Sequence, residues 1–197
     1  MNLTLSILVP SLPSRLSRLT RLLGKVLGQA DMFDDVEVCV WMDNKKRSIG
    51  RKRDDLVQMA RGNFLAFVDD DDDVSDDYVS ELRTAALEHP NVDVIVFNQR
   101  VLMGSAKPFV IRFGIEFENQ AAAEHGGRDI TRKPFHVCAW RTELAQTARF
   151  PDISYGEDWE WVKQLLPKVK QQARVDQILH TYRYDVNVTE APTELSL

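Results

Sequence analysis

The chain has 197 residues, 44% of them hydrophobic, with nine glycines and eight prolines, proportions of one globular domain with a sizeable core. A formal net charge of −5 and a pI near 5.4 argue against a broad, unspecific nucleic-acid surface. No run approaches the roughly 18 apolar residues of a membrane span, and the amino terminus lacks a signal-peptide cleavage pattern, so a cytoplasmic protein is expected.

Leu3 to Val9 is a short apolar run stopped by Pro10, which predicts a buried strand. Ser14 then stands before an amphipathic helix, with Leu16, Leu19, Leu22, Leu23, Val26 and Leu27 on one face and Arg15, Arg18, Arg21 and Lys25 on the other. Arg15, at the helix entrance beside the strand's end, is placed to face a ligand. Val36 to Met42 predicts a second strand ending in Asp43, followed by the basic loop Lys45-Lys46-Arg47 and a helix from about Ser48 to Arg61. The strand Phe64 to Val68 comes next, then a helix from about Ser75 with Asp76 and Asp77 in its first turn, and a strand from Val92 to Phe97. This alternation of strands and helices predicts a parallel α/β sheet.

The second half breaks the rhythm. Phe109 to Phe117 alternates like an exposed strand, Gly126-Gly127 marks a loop, and His136 to Trp140 reads as a further strand. A short helix is expected over Thr142 to Ala148, another over Asp158 to Leu166 ended by Pro167, and a late strand over Ile178 to Tyr184. The tail from Val188 has the character of a loosely held end. Cys39 and Cys138 lie far apart inside apolar stretches and are expected as buried free thiols, and Trp140 and Trp161 as core residues.

The most informative feature is the run of five aspartates, Asp69 to Asp73, welded to the third strand. Adjacent carboxylates repel one another, so a fold keeps them where a cation or a metal-bound phosphate neutralises them, and the carboxyl end of a strand is where open α/β sheets bind ligands. An ordinary solvated acidic loop is the competing reading. A calcium EF-hand fails, because counting from Asp69 its glycine position holds Val74 and its closing glutamate position holds Ser80. A phosphatase of the haloacid dehalogenase type fits Asp70-x-Asp72-x-Val74, although its nucleophile strand normally comes first in the chain.

Four segments in order resemble a family-two glycosyltransferase of the GT-A fold, in a compact bacterial or phage-like form. They are Ser6-Ile7-Leu8-Val9-Pro10 with Arg15, Asp43 at the end of the second strand, Gly50-Arg51-Lys52-Arg53 with the Leu56-to-Gly62 helix that precedes the Asp69-Asp70-Asp71 strand, and Gly156-Glu157-Asp158-Trp159 at a helix start. Asp54 stands where the family usually has Asn. The resemblance implies one domain over 1–197: a nucleotide-sugar-binding half at 1–100, an acceptor-side half with a smaller antiparallel portion at 101–187, and a tail at 188–197. It implies donor contacts from Pro10, Ser11, Arg15, Asp43, Arg53, Asp69 and Asp70, with Asp43 reading the base. Divalent Mn or Mg would lie at Asp69 and Asp71, with His180 as a further ligand, and Asp158 would be the catalytic base. His136, Glu157 and Trp159 fall on the acceptor side.

The implied reaction is inverting transfer of a hexose or pentose from a nucleoside diphosphate sugar to a hydroxyl. Acceptors in the family include saccharides, lipid carriers and proteins. A hydroxylated base in DNA is a further candidate, since Lys45 to Arg53 holds six basic residues. The competing functions are the phosphatase and a non-catalytic nucleotide-sugar binder.

Overall fold

Strand β1 (Leu5–Ser11) is buried at every residue and carries Pro10 and Ser11 within its carboxyl end, two residues beyond the expected stop. The computed structural model describes residues 3–121 and 128–184, so the Gly126-Gly127 loop and the tail from Val188 lie outside the described residues. A short 3-10 turn, Pro13–Arg15, leads into helix α1 (Leu16–Ala30), which buries Leu19, Leu22, Val26 and Ala30. Leu27 at the edge of that stripe and Leu16 at the helix entrance are exposed instead.

Strand β2 (Val36–Met42) lies parallel to β1 at the sheet edge and is buried only in part. Cys39 is therefore half-buried rather than buried, whereas Cys138 is fully enclosed. Burial pushes the two thiols up to about 11 and about 12 respectively, so neither is a thiolate at neutral pH. Helix α2 (Ile49–Met59) begins where the Ser48 hydroxyl accepts the Arg51 N–H at 3.0 Å. Strand β3 (Phe64–Phe67) pairs in parallel with β1 and delivers the aspartate run.

Beyond the run, Asp73–Val74 forms a short strand, β4, antiparallel to a strand from the chain's far end. This pairing draws the backbone into the sheet, and the Ser75 N–H bonds the Leu179 carbonyl at 2.9 Å. Helix α3 (Tyr78–Glu88) consequently starts three residues later than Ser75 predicts, with Asp77 at its N-cap position. Next come β5 (Val94–Met103), β6 (Phe109–Phe113), β7 (Ile130–Arg132), β8 (Ala139–Arg141), the single turn α4 (Thr142–Ala145), helix α5 (Glu157–Leu165) and β9 (Gln172–Tyr184).

The strands form one mixed, mostly parallel sheet in the order β2-β1-β3-β8-β5-β6-β7, with β9 lying along β5 and reaching β4. β8 returns antiparallel between β3 and β5, an insertion that alternation in the sequence does not reveal. Apolar side chains fill both faces. Leu5, Ile7, Val9 and Phe97 pack against α1 and Tyr78 of α3, while Leu8, Leu65, Phe67 and Trp140 pack against α2, α4 and Trp161 of α5. Trp140 and Trp161 are fully buried edge to face at 5.7 Å, as core residues. No helix among the described residues is long and apolar enough to cross a membrane.

Candidate active site

A cleft of about 1060 Å³ opens over the carboxyl ends of β1 and β3. That is at the upper end of ligand pockets, which run to about 1000 Å³, so it has room for two reactants. The aspartate run forms its floor, and its five carboxylates have separate surroundings. Asp70 is 1% exposed and is held by the Ser11 hydroxyl at 2.6 Å and by Arg15 Nη1 at 3.0 Å. Burial pushes its carboxyl up despite both partners. Asp71 opens to the cleft, with Arg15 at 3.7 Å; burial and the neighbouring Asp69 charge raise it to about 6.

Asp69 accepts two hydrogen bonds from Arg53 Nη2 at 2.8 and 2.9 Å. Burial works against its charge, but the Arg53 guanidinium wins and holds it below the usual carboxylate range. Asp72 turns inward: it accepts the Arg183 N–H at 2.9 Å and faces His180 Nε2 at 3.4 Å. Burial, reinforced by Asp69, keeps it well above its ordinary value. Asp73 points to the outside, paired with Arg183 at 3.1 Å and Lys25 at 3.5 Å.

Arg53 is the hinge of the opposite wall. Its side chain is only 5% exposed, and its Nε lies 3.3 Å from Glu157, so one buried cation ties the aspartate run to the start of α5. Gly50 permits this approach, because its N–H bonds the Ile153 carbonyl at 3.0 Å and a Cβ there would collide with the Pro151 carbonyl oxygen. Asp54, in place of the resembled Asn, accepts the Phe150 N–H at 3.3 Å and holds the same loop. Gly156 then turns the chain into α5 in the left-handed conformation, φ 76°. This brings Asp158 to the cleft with its side chain 26% exposed.

His136 stands between the two carboxylate groups. Its Nδ1 is 3.4 Å from Asp158 and its Nε2 4.0 Å from Asp69, and neither nitrogen makes a hydrogen bond. Burial, with Arg53 nearby, lowers it to about 4, so at neutral pH it is an uncharged imidazole with one N–H to give.

Of the residues singled out in the sequence, Pro10, Ser11, Arg15, Arg53, the run Asp69 to Asp72, His136, Glu157, Asp158 and Trp159 line this cleft. Glu157 is buried against Arg53 and acts as its counter-charge, and Trp159 sits on the rim, 40% exposed. Asp43 does not line the cleft: its carboxylate is closed off by Lys52 at 2.9 Å. Lys52 also donates to the Ser11 carbonyl at 3.0 Å, a buried tether between the ends of β1 and β2 that the basic pattern does not distinguish from a phosphate ligand. Arg51 and Arg47 both pair with Asp55. The basic stretch is therefore largely spent on internal contacts.

The run suits a hard cation in part. Among the described residues no group of three or more His, Cys, Asp or Glu is disposed around one point. Asp71 and Asp69 nevertheless supply adjacent oxygen donors, and a cation bound with a diphosphate needs only one or two carboxylates. His180 has a different setting: it is 0% exposed, its Nδ1 bonds the Gln99 amide at 3.1 Å, and its Nε2 faces Asp72. The tendency of Gln99 and β9 to form this pocket lies in strand register, which no local motif announces.

No protein-family model and no curated protein sequence matches the chain. The fold is shared with solved structures of S. aureus TarS, a glycosyltransferase with a GT-A-like fold. TarS 1-349 in complex with UDP-GlcNAc is similar at a TM-score of 0.66 and 15% identity, covering 93% of this chain and 59% of that one. The UDP complex gives 0.63 and 15%, covering 92% and 61%, and the longer TarS structure gives 0.60 and 13%, covering 92% and 37%. The chain thus spans about three-fifths of the TarS 1-349 structures it matches.

Proposed function

We propose that this chain is an inverting glycosyltransferase that moves a sugar from a nucleoside diphosphate sugar to a hydroxyl acceptor. One observation carries the reading: Asp158 and the Asp69-Asp71 pair, far apart in sequence, face one cleft, joined beneath it by Arg53 and His136. The fold shared with a protein solved with UDP-GlcNAc and with UDP makes a uridine diphosphate sugar the first donor to try.

In this reading Ser11 and Arg15 fix Asp70 and so shape the floor beneath the donor. Asp71, with Asp69, would hold a divalent Mn or Mg, which when bound supplies positive charge to the departing diphosphate. Asp158 takes the proton of the acceptor hydroxyl as that oxygen attacks the anomeric carbon from the face opposite the leaving group, which inverts the centre. His136 positions Asp158: its Nδ1, 3.4 Å from that carboxylate, packs against it and limits where the receiving oxygen lies. The bond between hydroxyl oxygen and anomeric carbon forms as the bond to the diphosphate breaks.

The phosphatase alternative needs a free carboxylate nucleophile at Asp70, whose oxygens are bonded to Ser11 and Arg15 and almost wholly buried. A screen of nucleotide sugars with Mn or Mg, following nucleoside diphosphate release with and without saccharide acceptors, tests the proposal. Release is expected from at least one donor and should be lost in Asp158→Asn with donor binding retained. Failure of every nucleotide sugar to bind would overturn it. A gel shift with duplex and single-stranded DNA at low and moderate salt decides whether DNA stays among the acceptors.

A further inference from the structure

Arg132 ends β7, at the sheet edge opposite β2, and lines the cleft. Among the described residues it has no carboxylate partner: its Nε donates to the neutral Gln120 carbonyl at 3.3 Å. Burial alone acts on this guanidinium, lowering it from its ordinary value with no opposing charge to raise it. Arg132 is in register with Phe113, so the two side chains share a sheet face. Phe109, Ile111 and Phe113 alternate along β6 with their side chains buried, and all three line the same cleft. The donor-side groups Ser11 and Arg15 lie toward the other edge, with Asp158 and His136 contributing to the cleft beside them.

A half-buried cation beside an apolar wall is costly unless an anion meets it. The two Nη groups make a fork suited to a phosphate or a carboxylate, and the β6 side chains suit an apolar or aromatic body. We propose that the β6–β7 end of the cleft is an acceptor subsite for a molecule with an anionic group beside an apolar or aromatic portion, the anion binding Arg132. The word acceptor rests on the glycosyl-transfer reading; the anion site itself does not.

The test titrates phenyl phosphate, benzoate and uncharged benzyl alcohol into the full chain and into Arg132→Gln, first without and then with excess UDP, and follows binding by ligand-observed NMR. At least one anionic probe is expected to bind the native chain roughly ten- to hundredfold more tightly than benzyl alcohol. The difference between phosphate and carboxylate identifies which anion the site takes. Arg132→Gln should bind all three alike, and Arg132→Lys, which keeps the charge but not the fork, should retain a reduced preference; the latter also serves if the glutamine variant does not fold.

Equal binding of the three probes to the native chain overturns the proposal, as does an anion preference that survives in Arg132→Gln. Displacement of the anionic probe by UDP also overturns it, because the probe then occupies the diphosphate site. Nucleotide-sugar binding measured separately reports on the transfer reading: failure of every nucleotide sugar to bind sinks that reading, while an anion preference dependent on Arg132 stands without it.

Discussion

Two buried histidines in this molecule face carboxylates at the same distance in different surroundings. His136 lies 3.4 Å from Asp158 and His180 lies 3.4 Å from Asp72. Burial, the leading cause in each case, lowers both rings to about 4. The difference is in the partner: Asp158 is 26% exposed at the cleft, whereas Asp72 is 3% exposed and bonded to the Arg183 main chain. One pair opens to the cleft, its Asp158 carboxylate accepting, among the described residues, only the Trp159 N–H at 2.7 Å. The other locks β4 and β9 together under the floor.

Replacing the carboxylates is the strongest way to break this contrast. Asp158→Asn is expected to lower kcat by roughly 10²–10⁴-fold with donor binding unchanged, since the proposed general base is removed without altering shape. Asp72→Asn should instead lower stability by about 1–3 kcal/mol, through a disturbed buried hydrogen bond, and leave turnover of the folded enzyme within a few-fold. Single-turnover rates and urea denaturation separate the two. Loss of turnover in a fully stable Asp72→Asn would erase the distinction.

Arg53 underlies the open pair. Arg53→Met leaves Asp69 and Glu157 without their shared cation, so a loss of roughly 3–5 kcal/mol is expected. Restoring charge with Arg53→Lys should recover only part, because one ammonium does not reproduce the fork that reaches both carboxylates. Denaturation midpoints with equal slopes check this. Recovery of full stability by lysine would show that the planar geometry is immaterial.

The sequence shows one half of this site more plainly than the other. Strand ends on β1 and β3, the aspartate run and the glycine-led start of α5 are local patterns, and each appears at the cleft. The placement of Asp43, Lys52 and His180 is not local. Lys52 turns inward to Asp43 because β1 and β2 end side by side, and His180 is enclosed because β9 pairs with both β4 and β5. Such pairings depend on register between segments far apart in the chain. The insertion of β8 between β3 and β5 is hidden for the same reason, as is Arg132, an unremarkable residue until β7 is set against β6.

Exchanging the histidines themselves sharpens the comparison on a smaller scale. His136→Gln is expected to reduce kcat about ten- to hundredfold with little change in donor KM, as positioning of the base is lost. His180→Gln should cost about 1–3 kcal/mol of stability and leave the metal dependence of turnover as in the native chain. A metal titration of activity decides the second case: a large shift in the Mn or Mg needed would make His180 a metal ligand and remove the contrast between the two histidines.

The smallest effect concerns a carboxylate outside the cleft, which separates acid sensitivity of the scaffold from that of the site. Asp35 is bonded by Arg83 at 2.6 Å and by the Thr4 hydroxyl at 2.6 Å. The Arg83 hydrogen bond, opposed by slight burial, holds its carboxyl below the ordinary value. Its folded form therefore releases the proton more readily than the unfolded chain, whose aspartates titrate at about 3.9. The resulting stability is present above that unfolded value and is lost as pH falls through the folded one. Because the pair is partly solvated, the contribution is expected within about 1 kcal/mol. Asp35→Asn should flatten the stability profile between about pH 5 and pH 3 and leave kcat at neutral pH unchanged; an unchanged acid limb would assign the acid sensitivity to other carboxylates.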